Sequence, residues 1–211
     1  MMIKIERNEK CPCDSGKKYK KCCYQDPEKN AEILRAAARS ATREEMAAML
    51  SSPLKVYRLK VKLLRMGMQE IGKEISRTME LTGRQTLYDL HLAIQDAFDW
   101  DNDHMFSFFM SGTLFDRETE YSGDPLGGHI VTGLGVPTHP ASKTELRDLD
   151  LSEDARFLYL FDYGDELVHE LLVAAMRDRN DDDRDLPMVV DEIGTPPDQY
   201  GDDEFYTGAA Q

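Results

Sequence analysis

Between Pro53 and Met176 the apolar and polar residues follow short, readable periods. Tyr57, Leu59, Val61 and Leu63 alternate with Arg58, Lys60 and Lys62, the two-residue repeat of a strand with one buried face. Ile75 to Leu81 supplies a second strand able to pair with it after a turn around Gly67 to Gly72. Leu87, Leu90, Ile94 and Phe98 then recur at helical spacing, and Thr86 with Asp89 three residues on forms a capping box. His104 to Met110 reads as an aromatic strand, and Arg156–Asp162 with Glu166–Met176 as a hairpin turned at Tyr163-Gly164-Asp165. A strand pair, a helix and further strands predict an α+β fold, an antiparallel or mixed sheet packed on one main helix. Residues 111–143 carry Gly123, Gly127, Gly128, Gly133 and Gly135 but no period. A connection that long is functional, mobile, or hides a short hairpin.

Ahead of Pro53 the pattern differs. Asn30 to Leu50 is dense in Ala, Leu, Met, Arg and Glu and reads as helix. A break falls near Ser40-Ala41-Thr42, where Thr42 and Glu45 fit a second capping box, and Ser51-Ser52-Pro53 ends the helical region. The expected partition is an N-terminal module at 1–26, a helical linker at 27–52, the α+β body at 53–176 and an acidic tail at 177–211.

All four cysteines fall in the first of these segments, as Cys11-Pro-Cys13 and Cys22-Cys23. Two thiolates spaced by one residue and two adjacent ones make the ligand set of a closed tetrahedral zinc site, structural rather than catalytic. Few large apolar side chains occur here, so metal binding would supply the folding free energy, on the order of 10–16 kcal/mol for structural zinc in small peptides. Disulfides compete poorly, because adjacent cysteines bridge each other badly and no secretory signal precedes them. Lys17, Lys18, Lys20 and Lys21 lie within the loop and offset the anionic site, and Gly16 suits the turn.

The net charge of −14 argues against nonspecific nucleic-acid binding, which needs basic surface. Charge is uneven, however: residues 1–30 hold eight Lys/Arg against five Asp/Glu, and residues 178–211 two Arg against eleven acids. Either the basic knuckle docks on an acidic partner or on this tail, or Asp181-Asp182-Asp183 and its neighbours form a solvated, mobile end. No apolar stretch approaches a membrane span, and the expected location is cytoplasmic.

Cys11-Pro-Cys13-Asp14-Ser15-Gly16-Lys17-Lys18-Tyr19-Lys20-Lys21-Cys22-Cys23 resembles the SEC-C motif, the zinc-binding tail of the SecA translocation ATPase. The resemblance places Cys11, Cys13, Cys22 and Cys23 on the four ligand positions and implies an interaction module. Asp14 replaces the motif's first Gly, and Asp tolerates left-handed geometry better than most residues. The body resembles the Ri-plasmid ORF-three-like family. One signature runs from Thr86 through His91 and Phe98-Asp99-Trp100-Asp101-Asn102-Asp103-His104 to Phe106. The other is Phe161-Asp162-Tyr163-Gly164-Asp165-Glu166-Leu167-Val168-His169, with Leu167 where the family has Trp. That resemblance implies a compact α+β fold without an established biochemical activity.

The residues that could carry chemistry are Asp162, Asp165 and His169 around the hairpin, with His104 at the head of the aromatic strand. Converging, they would serve a divalent metal or act as acid and base. Otherwise Asp162 and Asp165 shape the turn and His169 is a core histidine beside Leu167 and Leu171. Asp99-Trp100-Asp101-Asn102-Asp103 lacks the Gly and Glu of a calcium loop, and Gly133-Leu134-Gly135-Val136-Pro137 lacks the context of a phosphate loop. His91 reads as a boundary residue of its helix, and His129 and His139 have no partner at regular spacing. These readings favour a binding or adaptor protein whose zinc module meets a protein partner with an acidic surface. The alternative is a metal-assisted hydrolase using the Asp/His set.

Overall fold

The computed structural model describes residues 3–129, 138–180, 183 and 185–199. It divides after Pro53 into two compact units, each with its own core.

In the smaller unit, α1 (Pro27–Arg39) starts on Asp26, whose side chain accepts the Lys29 N–H, with Pro27 in the first turn. That Asp-Pro start lies ahead of the Asn30 expected from composition. Helix α2 (Arg43–Ser51) opens with the expected Thr42/Glu45 capping box. The helices are not a free linker between units. Ile33 of α1 packs with Cys11, Tyr19 and Cys23, and Ala36, Ala37 and Met46 form an adjoining cluster reached by Ile3 and Ile5. Ile3 N–H donates to Ala37 O at 3.1 Å, and Arg43 forks onto Glu9 at 3.0 and 3.2 Å. Knuckle and helices are therefore one folded body, a correction to the 1–26 and 27–52 partition.

The larger unit is built on β1 (Lys55–Met66), β2 (Gln69–Glu70), β3 (Ser76–Thr82), α3 (Leu87–Phe98), β4 (Phe106–Phe109), β5 (Glu120–Gly123), β6 (His139–Pro140), β7 (Arg156–Phe161), β8 (Leu167–Asp178) and β9 (Met188–Ile193). Among the described residues these strands make one sheet in the order β6-β5-β4-β7-β8-β1-β3-β9, with β2 appended to β1. All pairs are antiparallel except β5 with β6. The long connection after β4 thus contributes β5 beside β4 and β6 at the sheet edge, and Gly123 of β5 lets the strands approach, since a Cβ there would lie 2.5 Å from the Phe106 ring.

One sheet face carries α3. Tyr57, Leu59, Val61 and Leu63 of β1 point to it with Met79, Leu81, Phe157, Tyr159, Phe161, Leu167, Leu171 and Val173. The opposite face bears a smaller cluster of Phe109, Leu160 and Val168, with Leu64, Leu114 and Leu158 against it. Thr86 and Asp89 cap α3 reciprocally, at 3.1 and 2.7 Å, and Asp99 ends it in the left-handed region at φ 58°.

The segment expected as an acidic tail is structured over much of its length. Strand β8 continues to Asp178, and Arg177 binds Asp183 and Glu80 at 2.6 and 2.7 Å. Strand β9 pairs with β3, Asp191 facing Thr78 and Met188 facing Glu80. Backbone pairing thus recruits this acid-rich stretch, which carries no strand periodicity. Asp181 and Asp182, like Gly133 to Pro137, lie outside the described residues.

Candidate metal centre and the polar interior

The thiol site is assembled by backbone hydrogen bonds in a chain too short to pack by itself. Cys11 N–H donates to Lys17 O at 2.8 Å, and Asp14 N–H returns to Cys11 O at 3.2 Å. Asp14 takes the left-handed conformation at φ 57° and Gly16 at φ 72°, so the Asp at the motif's glycine position adopts the turn that glycine would. Short 3-10 turns at Tyr19–Lys21 and Cys23–Gln25 then deliver Cys22 and Cys23. Tyr19 is buried and hydrogen-bonds Asn30 of α1, and Arg7 lies over the Tyr24 ring at 4.6 Å.

All four Sγ atoms lie within 4.8 Å of one another. Neighbouring pairs are 3.4 Å (Cys11–Cys13), 3.6 Å (Cys13–Cys22) and 3.9 Å (Cys22–Cys23). Thiolates at about 2.3 Å around one tetrahedral ion stand about 3.8 Å apart, so the donor set fits a zinc-like ion. With four sulfurs supplied, no coordination position remains for a reacting water. Burial pushes the Cys11 and Cys23 thiols up. Burial also opposes ionisation of Cys13, but hydrogen bonds from Ser15 and Cys11 bring it down to about 6. Ser15 Oγ additionally lies 3.2 Å from Cys22 Sγ.

Lys17, Lys18 and Lys21 around this site are exposed and Lys20 half-buried. Among the described residues, none of the four ammonium groups is engaged in an ion pair.

The Asp/His set of the larger unit divides. Asp162, at φ 54°, uses Oδ1 to accept the N–H groups of Gly164 (2.8 Å) and Asp165 (3.3 Å), while its carbonyl accepts Glu166 N–H at 2.7 Å. Its remaining oxygen lies 3.5 Å from His104 Nε2, and His104 Nδ1 lies 2.7 Å from Asp103. The Asp103 hydrogen bond raises the His104 pKa, with further help from Asp162. Asp165 serves the turn through its backbone, its carbonyl accepting Gly67 N–H. His169 stands apart, on the α3 side of the sheet, within 5.5 Å of the Phe98, Trp100 and Tyr159 rings, centroid to centroid. It is fully buried, and burial holds it neutral, with a pKa near 3. The structure thus brings His104 to Asp162 and leaves His169 in the core, so the four residues form no common site.

Two polar clusters were not anticipated. His91, expected at a boundary, is fully buried, stacked on Phe106 at 3.8 Å. Its Nε2 is 2.8 Å from Asn102 Oδ1 and its Nδ1 2.7 Å from the Tyr159 hydroxyl. Asn102 Nδ2 donates to Pro125 O, which leaves Oδ1 as acceptor and assigns the ring proton to Nε2. Tyr159 then donates to Nδ1 and accepts from Gln95 Nε2 at 2.8 Å. On the other sheet face, fully buried Glu120 takes Ser107 Oγ at 2.7 Å, the Tyr163 hydroxyl at 3.0 Å and Arg117 Nη1 at 2.8 Å. Burial pushes Tyr163 up to about 12. These partners come from different elements, so only the signature positions His91, Asn102 and Tyr163 offered any sign of them in the sequence.

Comparison with known proteins agrees with this geometry. Residues 55–210 match the family described as plasmid pRiA4b ORF-3-like protein, and residues 7–25 match the SEC-C motif. A UPF0225 protein of Pectobacterium carotovorum subsp. carotovorum is 74% identical over 23 residues, 11% of this chain and 15% of that protein. The protein translocase subunit SecA of Wolinella succinogenes is 50% identical over 34 residues, 16% of this chain and 4% of SecA. The chain thus spans only small parts of these relatives. Among solved structures, a protein of unknown function from Methanosarcina mazei Go1 superposes with a TM-score of 0.55 at 22% identity. That match covers 71% of this chain and 75% of the other, and it shows a shared fold. Among the described residues, no helix is long and apolar enough to cross a membrane.

Proposed function

The chain belongs to the plasmid pRiA4b ORF-3-like protein family, and from that premise we propose that it is a zinc-stabilised binding or adaptor protein. Cys11, Cys13, Cys22 and Cys23 hold one structural Zn2+, and the folded knuckle presents its lysines to a protein partner with an acidic surface. The observation that carries this reading is the lysine set on a four-thiol loop, three exposed and one half-buried, uncommitted to any ion pair among the described residues. A metal-held turn fixes the backbone that carries these lysines, so the loop loses little further freedom on binding, and the ammonium groups steer an acidic partner to the surface. A cytoplasmic setting suits four ligating thiols, which reducing conditions keep free. The Asp/His set does not support a hydrolase, since His169 lies in the core apart from the His104–Asp162 pair and Asp162 Oδ1 is committed to the turn.

The test is co-purification from host cells of the intact chain against a variant with Lys17, Lys18, Lys20 and Lys21 changed to Gln. Zinc content is measured in both. At equal zinc loading, partner recovery should fall about tenfold or more in the variant, and recovery by the intact chain should fall as salt is raised. Equal recovery by both proteins would remove the lysine surface from the account.

A further inference from the structure

The four thiols are unequal in a way that bears on regulation. Cys11 and Cys23 are each 3% exposed and sit in the apolar cluster of Tyr19 and Ile33. Cys13 is exposed and Cys22 partly so, their sulfurs 3.6 Å apart. We infer that the metal centre is an oxidation-sensitive switch, in which peroxide joins Cys13 to Cys22 as a disulfide and expels the metal. This rests on the reading of the four cysteines as a zinc site.

The geometry selects this pair, because each of the other five includes Cys11 or Cys23, the two thiols closed off from solvent. Cys22 and Cys23 are adjacent, and a bridge between neighbours forces a strained peptide unit. Cys11 and Cys13 approach to 3.4 Å, yet a bridge two residues apart is a tight ring, and Cys11 is closed off from solvent. Cys11 with Cys23 would need the oxidant to enter the apolar cluster. Cys13 and Cys22 instead span a loop of ordinary length that already brings their sulfurs together across the Asp14–Gly16 turn.

The chemistry balances with hydrogen peroxide as the two-electron oxidant. The Cys13 thiolate attacks one peroxide oxygen, the O–O bond breaks, and Cys13 becomes a sulfenic acid as hydroxide departs. The Cys22 thiolate then attacks that sulfur, the S–O bond breaks, and a second hydroxide leaves as the S–S bond forms. Both hydroxides take up protons from the buffered solvent and leave as two waters. The ion has lost two of its four ligands and dissociates, and Cys11 and Cys23 regain protons as thiols. The new bridge encloses Lys17, Lys18, Lys20 and Lys21, so the change acts directly on the basic loop.

The experiment uses the full wild-type chain purified under reducing conditions. Zinc is first counted by elemental analysis, then peroxide is titrated while released zinc is followed with a chromogenic chelator, and the bridged peptides are mapped by mass spectrometry. The expected result is about one zinc released per peroxide consumed, a Cys13–Cys22 bridge, and recovery of bound zinc after thiol reductant and metal are returned. A protein purified without zinc overturns both the metal reading and the switch. A zinc-loaded protein that keeps its metal through a tenfold excess of peroxide, or a bridge mapped to Cys11–Cys23, overturns the switch alone.

Discussion

His91 and His169 are both fully buried, and burial holds them neutral, with pKa values near 4 and 3. Both lie below the value of about 6.5 that each takes in the unfolded chain. The unfolded state therefore binds protons first as pH falls. The stability they contribute is complete above about pH 6.5 and is lost between there and their folded values. Each should cost about 1.4 kcal/mol per pH unit inside that window. The chain has a single tryptophan, Trp100, and its ring lies 5.5 Å from that of His169, so its fluorescence reports on this core directly. Urea unfolding followed by Trp100 should weaken steeply from pH 6.5 to pH 5. His169→Leu should lose about half of that slope. A stability unchanged across the window would contradict the neutral-histidine assignment.

At the scale of elements, Arg77 of β3 joins three separate pieces of chain. Its Nε donates to Ala97 O at the end of α3, and its Nη1 reaches the carbonyls of Ser76, Ile193 and Gly194 at 2.9–3.3 Å. The guanidinium also lies 5.3 Å from the Phe98 ring, and the side chain is nearly closed to solvent. Arg77→Met keeps the bulk but strands those carbonyls, and should cost about 2–4 kcal/mol in Trp100-monitored unfolding. A loss below about 0.5 kcal/mol would show the clamp to be dispensable. Elements with a strong period of their own were legible in advance: β3, α3 and the β7–β8 hairpin fall within one or two residues of the reading from pattern, with both capping boxes in place, and β1 runs two residues before and three beyond the alternation from Tyr57 to Leu63. Strands β5 and β9 were not. Glu120, Ser122 and Gly123 offer no apolar face, and Met188 to Ile193 places Asp191 and Glu192 side by side without alternation, so pairing with β4 and β3 completes each strand. His91 was misread for the same reason, because the partners that allow its burial, Asn102 and Tyr159, lie 11 and 68 residues away.

At the scale of the whole molecule, two units with separate cores share one chain, and the smaller carries the four-thiol cluster. The cysteine spacing disclosed the four-thiol cluster. That α1 and α2 belong to the same body was hidden, because few residues join them to the knuckle: Ile33 against the cysteines, and Ala36, Ala37 and Met46 in the adjoining cluster. A core this slight cannot hold 50 residues unaided, so removing the metal should release both helices along with the knuckle. The α+β body, with its continuous sheet and aromatic core, should not notice. Hydrogen exchange read by mass spectrometry on the full chain, with and without a zinc chelator, tests this most directly. The account predicts that amides from Cys11 through α2 lose protection on chelation while those of β1, β3, α3, β7 and β8 keep theirs. Unchanged protection in α1 and α2, or loss spreading into the sheet, would contradict a metal-held module on an independently folded body.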